Sequence, residues 1–168
     1  MSRITDFYFG KTTRPHHSIE QVWNYSYGEL EYVHTYIQWL FPLLEASQAM
    51  PGSPILSNKD IEMFEEIDEL KQRLLKSFQV MLRFYGFSLR YDPEPVIEPT
   101  DEFEERAEHW LNANNHNHLR ITRILRSLTL LGLAKEAREF FAALQRVYIK
   151  NPDKIGSYSY DYWKRAIK

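Results

Sequence analysis

The sequence has no cysteine, only six glycines and no long apolar run. Without cysteine, disulfide bonds, thiolate zinc sites, iron–sulfur clusters and cysteine nucleophiles are excluded. The longest apolar stretch, residues 36–44, is interrupted by Gln38 and Pro42 and falls well short of the ~20 residues that span a bilayer. The opening residues, MSRITD, lack the apolar core of a signal peptide. We therefore expect a cytoplasmic protein with no membrane span.

Sequence motifs of common enzyme classes are also missing. The chain has no GxSxG elbow, no Walker A loop, no GxGxxG fingerprint and no HExxH zinc motif. A single ExxH, from Glu31 to His34, lacks the second copy and the further carboxylates that a di-iron bundle needs. His116 and His118 are two positions apart, so their rings point to different sides of a helix. We expect no metal site and no cofactor.

Length, aromatic content and charge further limit the classes of protein that fit this sequence. The 168 residues suit one domain, so residues 1–168 are predicted to form a single domain. The aromatic content of 15% excludes a disordered chain. The formal net charge of −2 gives no reason to expect a nucleic-acid partner.

Helical spacing dominates the hydrophobic pattern, and alternating runs are few. The S-I-E-Q sequence beginning at Ser18 is typical of a helix-capping box. One long central helix is predicted over residues 57–85, and further helices over about 116–131 and 134–149. The proline-rich segment 92–99 predicts a stiff internal loop. The fold is therefore predicted to be all-α, a bundle of about six helices around the long one.

The segment 30–41 carries the first candidate site. Placed on a helical wheel, its apolar side chains cover more than half of the circumference, which is typical of a deeply buried helix. Glu31, His34 and Gln38 fall on one narrow polar stripe of that wheel. The stripe is either the only solvent-facing side of the helix or part of a ligand site.

The helix predicted over 116–131 carries a second polar stripe. His116, Arg120 and Arg123 lie on it between leucine and isoleucine positions, whereas His118 falls on a separate face that predicts solvent exposure. A guanidinium does not deprotonate in proteins, so an arginine bordered by apolar residues needs a partner.

The two stripes have complementary chemistry, which leaves two interpretations open. In the structural one, Glu31 pairs with Arg120 or Arg123 and fixes how two helices pack. In the functional one, the two arginines, a histidine (His34 or His116) and Gln38 form a pocket that receives a phosphate or carboxylate.

Two segments resemble the signatures of a known family. HTYIQWLFP at 34–42 and HNHLRITRIL at 116–125 are similar to two signatures of the opioid growth factor receptor conserved domain. Further matches follow in the same order, namely FY at 7–8, WN at 23–24 and MLRFYG at 81–86. The resemblance covers about residues 6–133.

The resemblance implies a binding role. Animal members of the family are described as nuclear-associated receptors for the pentapeptide met-enkephalin that restrain cell proliferation, and they carry long extensions after this domain. This chain ends soon after the domain, so it is similar to the stand-alone microbial forms. The resemblance supplies no catalytic residues.

We expect a non-enzymatic binding or interaction module. In this hypothesis the segments 30–41 and 116–131 line a site for a small anionic ligand or a peptide. The C-terminal aromatic residues from Tyr158 to Trp163 are either a packed terminal helix or a surface for a protein partner.

The alternative is a small enzyme that acts on a phosphate- or carboxylate-bearing substrate. Arg120 and Arg123 would clamp the anion, and His34 or His116 would act as the general acid or base. Glu31 or Gln38 would orient that histidine.

Overall fold

A computed structural model describes residues 2–11 and 17–168. Two compact units divide the chain, Met1–Phe78 and Gln79–Lys168. The described residues form eleven α-helices and two β-strands, in the order α1 (Arg3–Tyr8), α2 (Ile19–Trp23), α3 (Tyr27–Tyr32), α4 (Ile37–Leu40), α5 (Asn58–Glu66), α6 (Asp68–Tyr85), β1 (Phe87–Tyr91), β2 (Pro95–Pro99), α7 (Phe103–Ala107), α8 (Asn117–Leu130), α9 (Ala134–Lys150), α10 (Pro152–Ile155) and α11 (Ser157–Ala166). None of these helices is both long and apolar enough to cross a membrane.

The all-α prediction is wrong, because two strands form a hairpin. β1 and β2 pair in antiparallel register, with Phe87 opposite Pro99 and Tyr91 opposite Pro95. Most of segment 92–99, predicted as a loop, is therefore strand. Prolines at the two ends of a strand in a two-stranded sheet remove few ladder hydrogen bonds, so they are tolerated there. The fold is mixed, with helices in the majority.

The prediction of one long central helix is also wrong, because the structure has two helices in this segment. α5 ends at Glu66, and Ile67 is extended, with φ −101° and ψ 105°, before α6 begins. The break falls inside EEIDE at 65–69, a run of four carboxylates that repel one another on a continuous helix. It places Asp68 and Glu69 in the first turn of α6, where the helix dipole favours negative charge. The prediction of about six helices fails for the same reason, since helical stretches are interrupted.

Local capping sequences set several helix starts in the first unit. The box predicted at Ser18 is confirmed, since its side chain accepts from the Gln21 backbone N–H and Gln21 returns a bond to the Ser18 backbone. Ser57 caps α5 in the same manner with Asp60. The Asp60 carboxylate is buried and also accepts from the Ser2 hydroxyl, which links the start of α1 to the start of α5.

Buried polar groups pair inside the core of the first unit. The Tyr8 hydroxyl donates to the Leu40 carbonyl at 2.6 Å and lies 3.0 Å from the Ser77 hydroxyl. The Trp23 indole N–H donates to the same Ser77 oxygen at 2.9 Å. Burial raises the pKa of Tyr8 above its usual range, so the phenol stays neutral. These bonds join α1, α2, α4 and α6.

Aromatic side chains fill the core of the second unit. The helices predicted near 116–131 and 134–149 are present as α8 and α9. The Trp110 ring contacts Tyr85, Phe87 and Phe103 in edge-on or tilted geometry, and its indole N–H donates to the Tyr85 carbonyl at 3.0 Å. Phe87 of β1 also packs edge-on against Phe140 of α9. The hairpin thus rests on α9 through buried side chains.

Gly86 ends α6 at a sterically constrained position, so we expect its substitution to lower the stability of the protein. Its φ is +95°, and an added Cβ would lie 2.8 Å from the Phe103 Cα. Replacing Gly86 with Ala combines left-handed strain with overpacking, for a cost of about 2–5 kcal/mol. Gly52 has φ +88° with open space around it, so Gly52→Ala carries the strain alone, about 1–2 kcal/mol. Thermal melts of both variants test this, and equal losses would contradict it.

Candidate functional site

The segment 30–41 is not one helix. α3 ends at Tyr32, and Val33 is extended, with φ −83° and ψ 124°. The chain resumes helical structure only in α4. The helical wheel drawn through this segment is therefore wrong, and it cannot place Glu31, His34 and Gln38 on one stripe.

A side chain within the segment accounts for the break. The Tyr36 hydroxyl donates to the Leu30 carbonyl at 2.5 Å. In a continuous helix that carbonyl would accept from the backbone N–H of His34, four residues later. Val33 and Thr35 are β-branched and weaken the helix further. The Tyr36 hydroxyl thus takes the acceptor that the next helical turn would use.

The three candidates of this segment differ in exposure. Glu31 is half-buried on α3, and His34 is exposed in the connection between α3 and α4. Gln38 lies on α4 and is only 6% exposed. Its Oε1 is buried and has no hydrogen-bond partner, the only such side-chain atom in residues 2–11 and 17–168. A buried acceptor left in this state costs about 1–3 kcal/mol.

The second predicted stripe lies on α8. His116 is exposed just before the helix, Arg120 is 6% exposed, and Arg123 is half-buried one turn later. The burial of Arg120 agrees with the apolar flanks read from the sequence. The joint action of Glu31, Arg120 and Arg123 stays a prediction.

His118 is buried, and its predicted solvent exposure is wrong. The side chain is 3% exposed and meets the rings of Trp110 and Trp163 edge-on. Its Nε2–H donates to the Trp110 carbonyl at 2.8 Å. Its own backbone carbonyl accepts from the Trp163 indole N–H at 2.9 Å and from the Thr122 hydroxyl at 3.1 Å. His118 therefore joins α8 to α11 and to the turn after α7.

Burial also changes the titration of His118. Desolvation lowers the pKa of the imidazole below its ordinary value, and the nearby His116 lowers it further. The bond to the Trp110 carbonyl acts in the opposite direction, because it stabilises the protonated ring. The neutral form is therefore favoured in the folded protein.

The C-terminal aromatic residues divide between the core and the surface. Trp163 is buried, and Tyr160 stacks on Tyr148 with ring centroids 4.1 Å apart. Tyr158 and Tyr162 are exposed on the other side of α11, at 73% and 37%. Trp163 and Tyr160 agree with a packed terminal helix, whereas a surface for a protein partner at Tyr158 and Tyr162 stays a prediction.

A shallow hollow in the first unit was not anticipated from the sequence. Its volume is about 380 Å³, and its lining residues are His17, Glu20, Gln21, Asn24, Tyr25 and Glu29. Both carboxylates already have partners, since Glu20 pairs with Arg73 at 3.1 Å and Glu29 accepts from the Ser26 backbone. In the described ranges, no three His, Asp or Glu side chains group in a way that could hold a metal ion.

Comparison with known proteins identifies one family. The family described as the opioid growth factor receptor (OGFr) conserved region matches residues 6–167. The match extends beyond residue 133, where the resemblance read from the signatures stopped. No solved structure matches the chain.

Curated relatives share 38–44% of their residues with this chain over the matched regions. Opioid growth factor receptor of Rattus norvegicus is 44% identical over 115 residues, which cover 68% of this chain and 20% of the relative. The Homo sapiens protein of the same name is 38% identical over 132 residues, which cover 79% of this chain and 19% of the relative. Opioid growth factor receptor-like protein 1 of Mus musculus is 42% identical over 117 residues, which cover 68% of this chain and 25% of the relative. The chain thus spans about a fifth to a quarter of these relatives' length.

We expect the buried His118 to make stability depend on pH. The unfolded chain protonates near the ordinary pKa of about 6.5, whereas the folded imidazole protonates at lower pH. Between these two pKa values the unfolded state binds more protons. The free energy of unfolding therefore falls as the pH drops below about 7 towards the lowered pKa of the folded imidazole, by up to ~1.4 kcal/mol per pH unit.

Urea unfolding across this pH range measures the effect. His118→Gln keeps an N–H donor without a titrating group, so its curve should be flatter than that of the wild type. His109 is exposed, and His109→Gln serves as the control that keeps the wild-type slope. A slope unchanged in His118→Gln would contradict the assignment.

Proposed function

The chain belongs to the opioid growth factor receptor family, and from this membership we propose that it is a non-enzymatic binding module whose ligand contacts Gln38. The relatives in rat and human are named receptors, which is a binding role. The chain covers only part of those proteins, so we extend the class of role to it and not their whole activity. The ligand class proposed is a peptide or a small anion.

Gln38 is the observation that carries the proposal. A primary amide offers an acceptor oxygen and two donor hydrogens, and water normally satisfies all of them in an unfolded chain. In the folded protein the Oε1 is buried without a partner among the described residues. A ligand N–H or O–H that reaches this oxygen, once the side chains that cover it move aside, would recover the lost hydrogen bond. The same residue emerged from the sequence as a candidate for ligand binding.

The position of Gln38 is suited to this role. α4 is four residues long, and its other three members, Ile37, Trp39 and Leu40, are all buried. Buried neighbours on both sides hold the backbone of Gln38 in place before a ligand arrives. Binding to a group ordered in advance loses less conformational entropy.

Gln38→Leu is the variant that tests the proposal. Leucine has a similar size and no polar atom, so the free protein should gain about 1–3 kcal/mol of stability. For a chain of this length that is a rise of roughly 2–12 °C in Tm. The same variant should lose the ligand-induced rise in Tm.

Thermal melts of wild type and Gln38→Leu measure both effects. The ligands tested are met-enkephalin, inorganic phosphate, sulfate, nucleotides and sugar phosphates. A ligand at 100 times its Kd adds about 2.7 kcal/mol, which is roughly 5–10 °C. Gln72→Leu, at an exposed position of α6, is the matched control and should keep the wild-type response.

Two results would overturn the proposal. One is a ligand-induced rise that is the same in Gln38→Leu and in wild type. The other is chemical turnover of a bound phosphate or carboxylate compound, detected by phosphorus or proton NMR. Turnover that depends on His34 or His116 would instead support the enzyme hypothesis.

A further inference from the structure

We propose that one side of α11, formed by Tyr158, Tyr162 and Arg165 and here called the tyrosine face, binds an acidic peptide segment of a partner protein. This inference rests on the proposed function, because it names a partner class for an interaction module. It concerns the second unit alone, whereas the test of the proposed function concerns Gln38 in the first unit.

The tyrosine face is ordered although it is exposed. The rings of Tyr158 and Tyr162 meet edge-on with centroids 4.9 Å apart, and their hydroxyl oxygens are 3.1 Å apart. The guanidinium carbon of Arg165 lies 4.6 Å from the centre of the Tyr162 ring. These contacts hold the three side chains in one arrangement, so binding to them loses little side-chain entropy.

The tyrosine face presents donors suited to a carboxylate. In a pair of hydroxyls one donates to the other, which leaves the second O–H to point outward. The Arg165 Nε donates to the Asp161 backbone carbonyl at 3.3 Å, and the guanidinium makes no salt bridge within the described part of the chain. Its Nη groups remain for a carboxylate, which accepts bidentate bonds from arginine.

The opposite side of α11 holds the helix in place. Trp163 is buried and donates to the His118 carbonyl. Tyr160 stacks on Tyr148, and its hydroxyl accepts from the Gln145 side-chain amide at 2.7 Å. Two aromatic residues therefore anchor the helix, while two others stand outward. Tyrosine and arginine are residues that dominate binding energy at protein interfaces.

Charge favours an acidic occupant. Residues 150–168 carry five basic and two acidic side chains, whereas the remainder carries 16 basic and 21 acidic ones. The segment that holds the tyrosine face therefore has a net positive charge, whereas the remainder of the chain has a net negative one. Asp161 is the carboxylate on the exposed side of α11, and it opposes an incoming anion.

The ring arrangement favours a peptide over a nucleic acid. Stacking of a base needs an open aromatic face. Arg165 covers one face of Tyr162, and Tyr158 meets the same ring edge-on. The outward hydroxyl and guanidinium donors instead match the carboxylates of aspartate and glutamate, with leucine-like side chains packing on the ring edges.

Fluorescence anisotropy of the full chain tests the inference. The probe is a fluorescein-labelled peptide of alternating aspartate and leucine. We expect binding that weakens with salt, and a Kd at least tenfold higher for Arg165→Gln and for Tyr158→Ala. Asp161→Asn removes a repulsive charge, so it should tighten binding two- to fivefold. A gain of affinity cannot arise from loss of folding.

Matched variants elsewhere separate a site from general charge. Arg83→Gln removes the same charge from another exposed arginine, and Tyr32→Ala removes another exposed tyrosine. Both should change the Kd by less than twofold. Gln38→Leu should leave it unchanged, so failure of the ligand proposal and failure of this one are distinguishable.

Three results would overturn the inference. The first is equal weakening by Arg165→Gln and Arg83→Gln. The second is equal affinity for a control peptide of alternating lysine and leucine. The third is binding of single-stranded DNA by the tyrosine face in place of the acidic peptide.

Discussion

The second unit depends on a single buried histidine that bonds in two directions. The His118 imidazole donates to the Trp110 carbonyl, and the His118 carbonyl accepts from the Trp163 indole. The uncharged imidazole is favoured, because burial against two indole rings desolvates the protonated ring. The same Trp163 anchors α11, so the exposed tyrosines on the far side of that helix keep their geometry through His118.

Sequence reasoning succeeded where a structure is set by neighbours in the chain. The capping box at Ser18 depends on a side chain three residues away, and it is present. α8 and α9 lie close to their predicted bounds, because Gly132 between them has φ +96° and ends the first helix locally. The family, too, was recognisable, since its two signatures are contiguous stretches of sequence.

It failed where a side chain takes a backbone acceptor from a helix, or where a residue distant in sequence buries a side chain. The segment 30–41 is interrupted because the Tyr36 hydroxyl takes the Leu30 carbonyl, and a helical wheel assumes that every residue is helical. The helical wheel assigned His118 to solvent because a wheel of one helix does not include Trp163, which is 45 residues away. The hairpin was missed because each strand is only five residues long, and β2 begins and ends with proline. Two of the predicted candidates, Arg120 and Gln38, are buried. The flanking apolar residues indicated the burial of Arg120 in the sequence. The burial of Gln38 depends on tertiary packing.

Buried polar groups give the strongest contrast in this molecule. Ser77, Asp60 and His118 are each bonded to at least two other groups, so their desolvation is repaid by hydrogen bonds. Gln38 is also buried on α4, yet its Oε1 has no partner among the described residues. An acceptor with that energy deficit destabilises the free protein and favours any bound state that supplies a donor. For a ligand that supplies such a donor, the missing hydrogen bond therefore contributes to the free-energy difference between the free and bound forms. That difference sets the affinity. If Gln38 only filled the core, leucine could replace it without loss of stability. If Gln38 contacts a ligand, it stabilises the protein only when that ligand is bound.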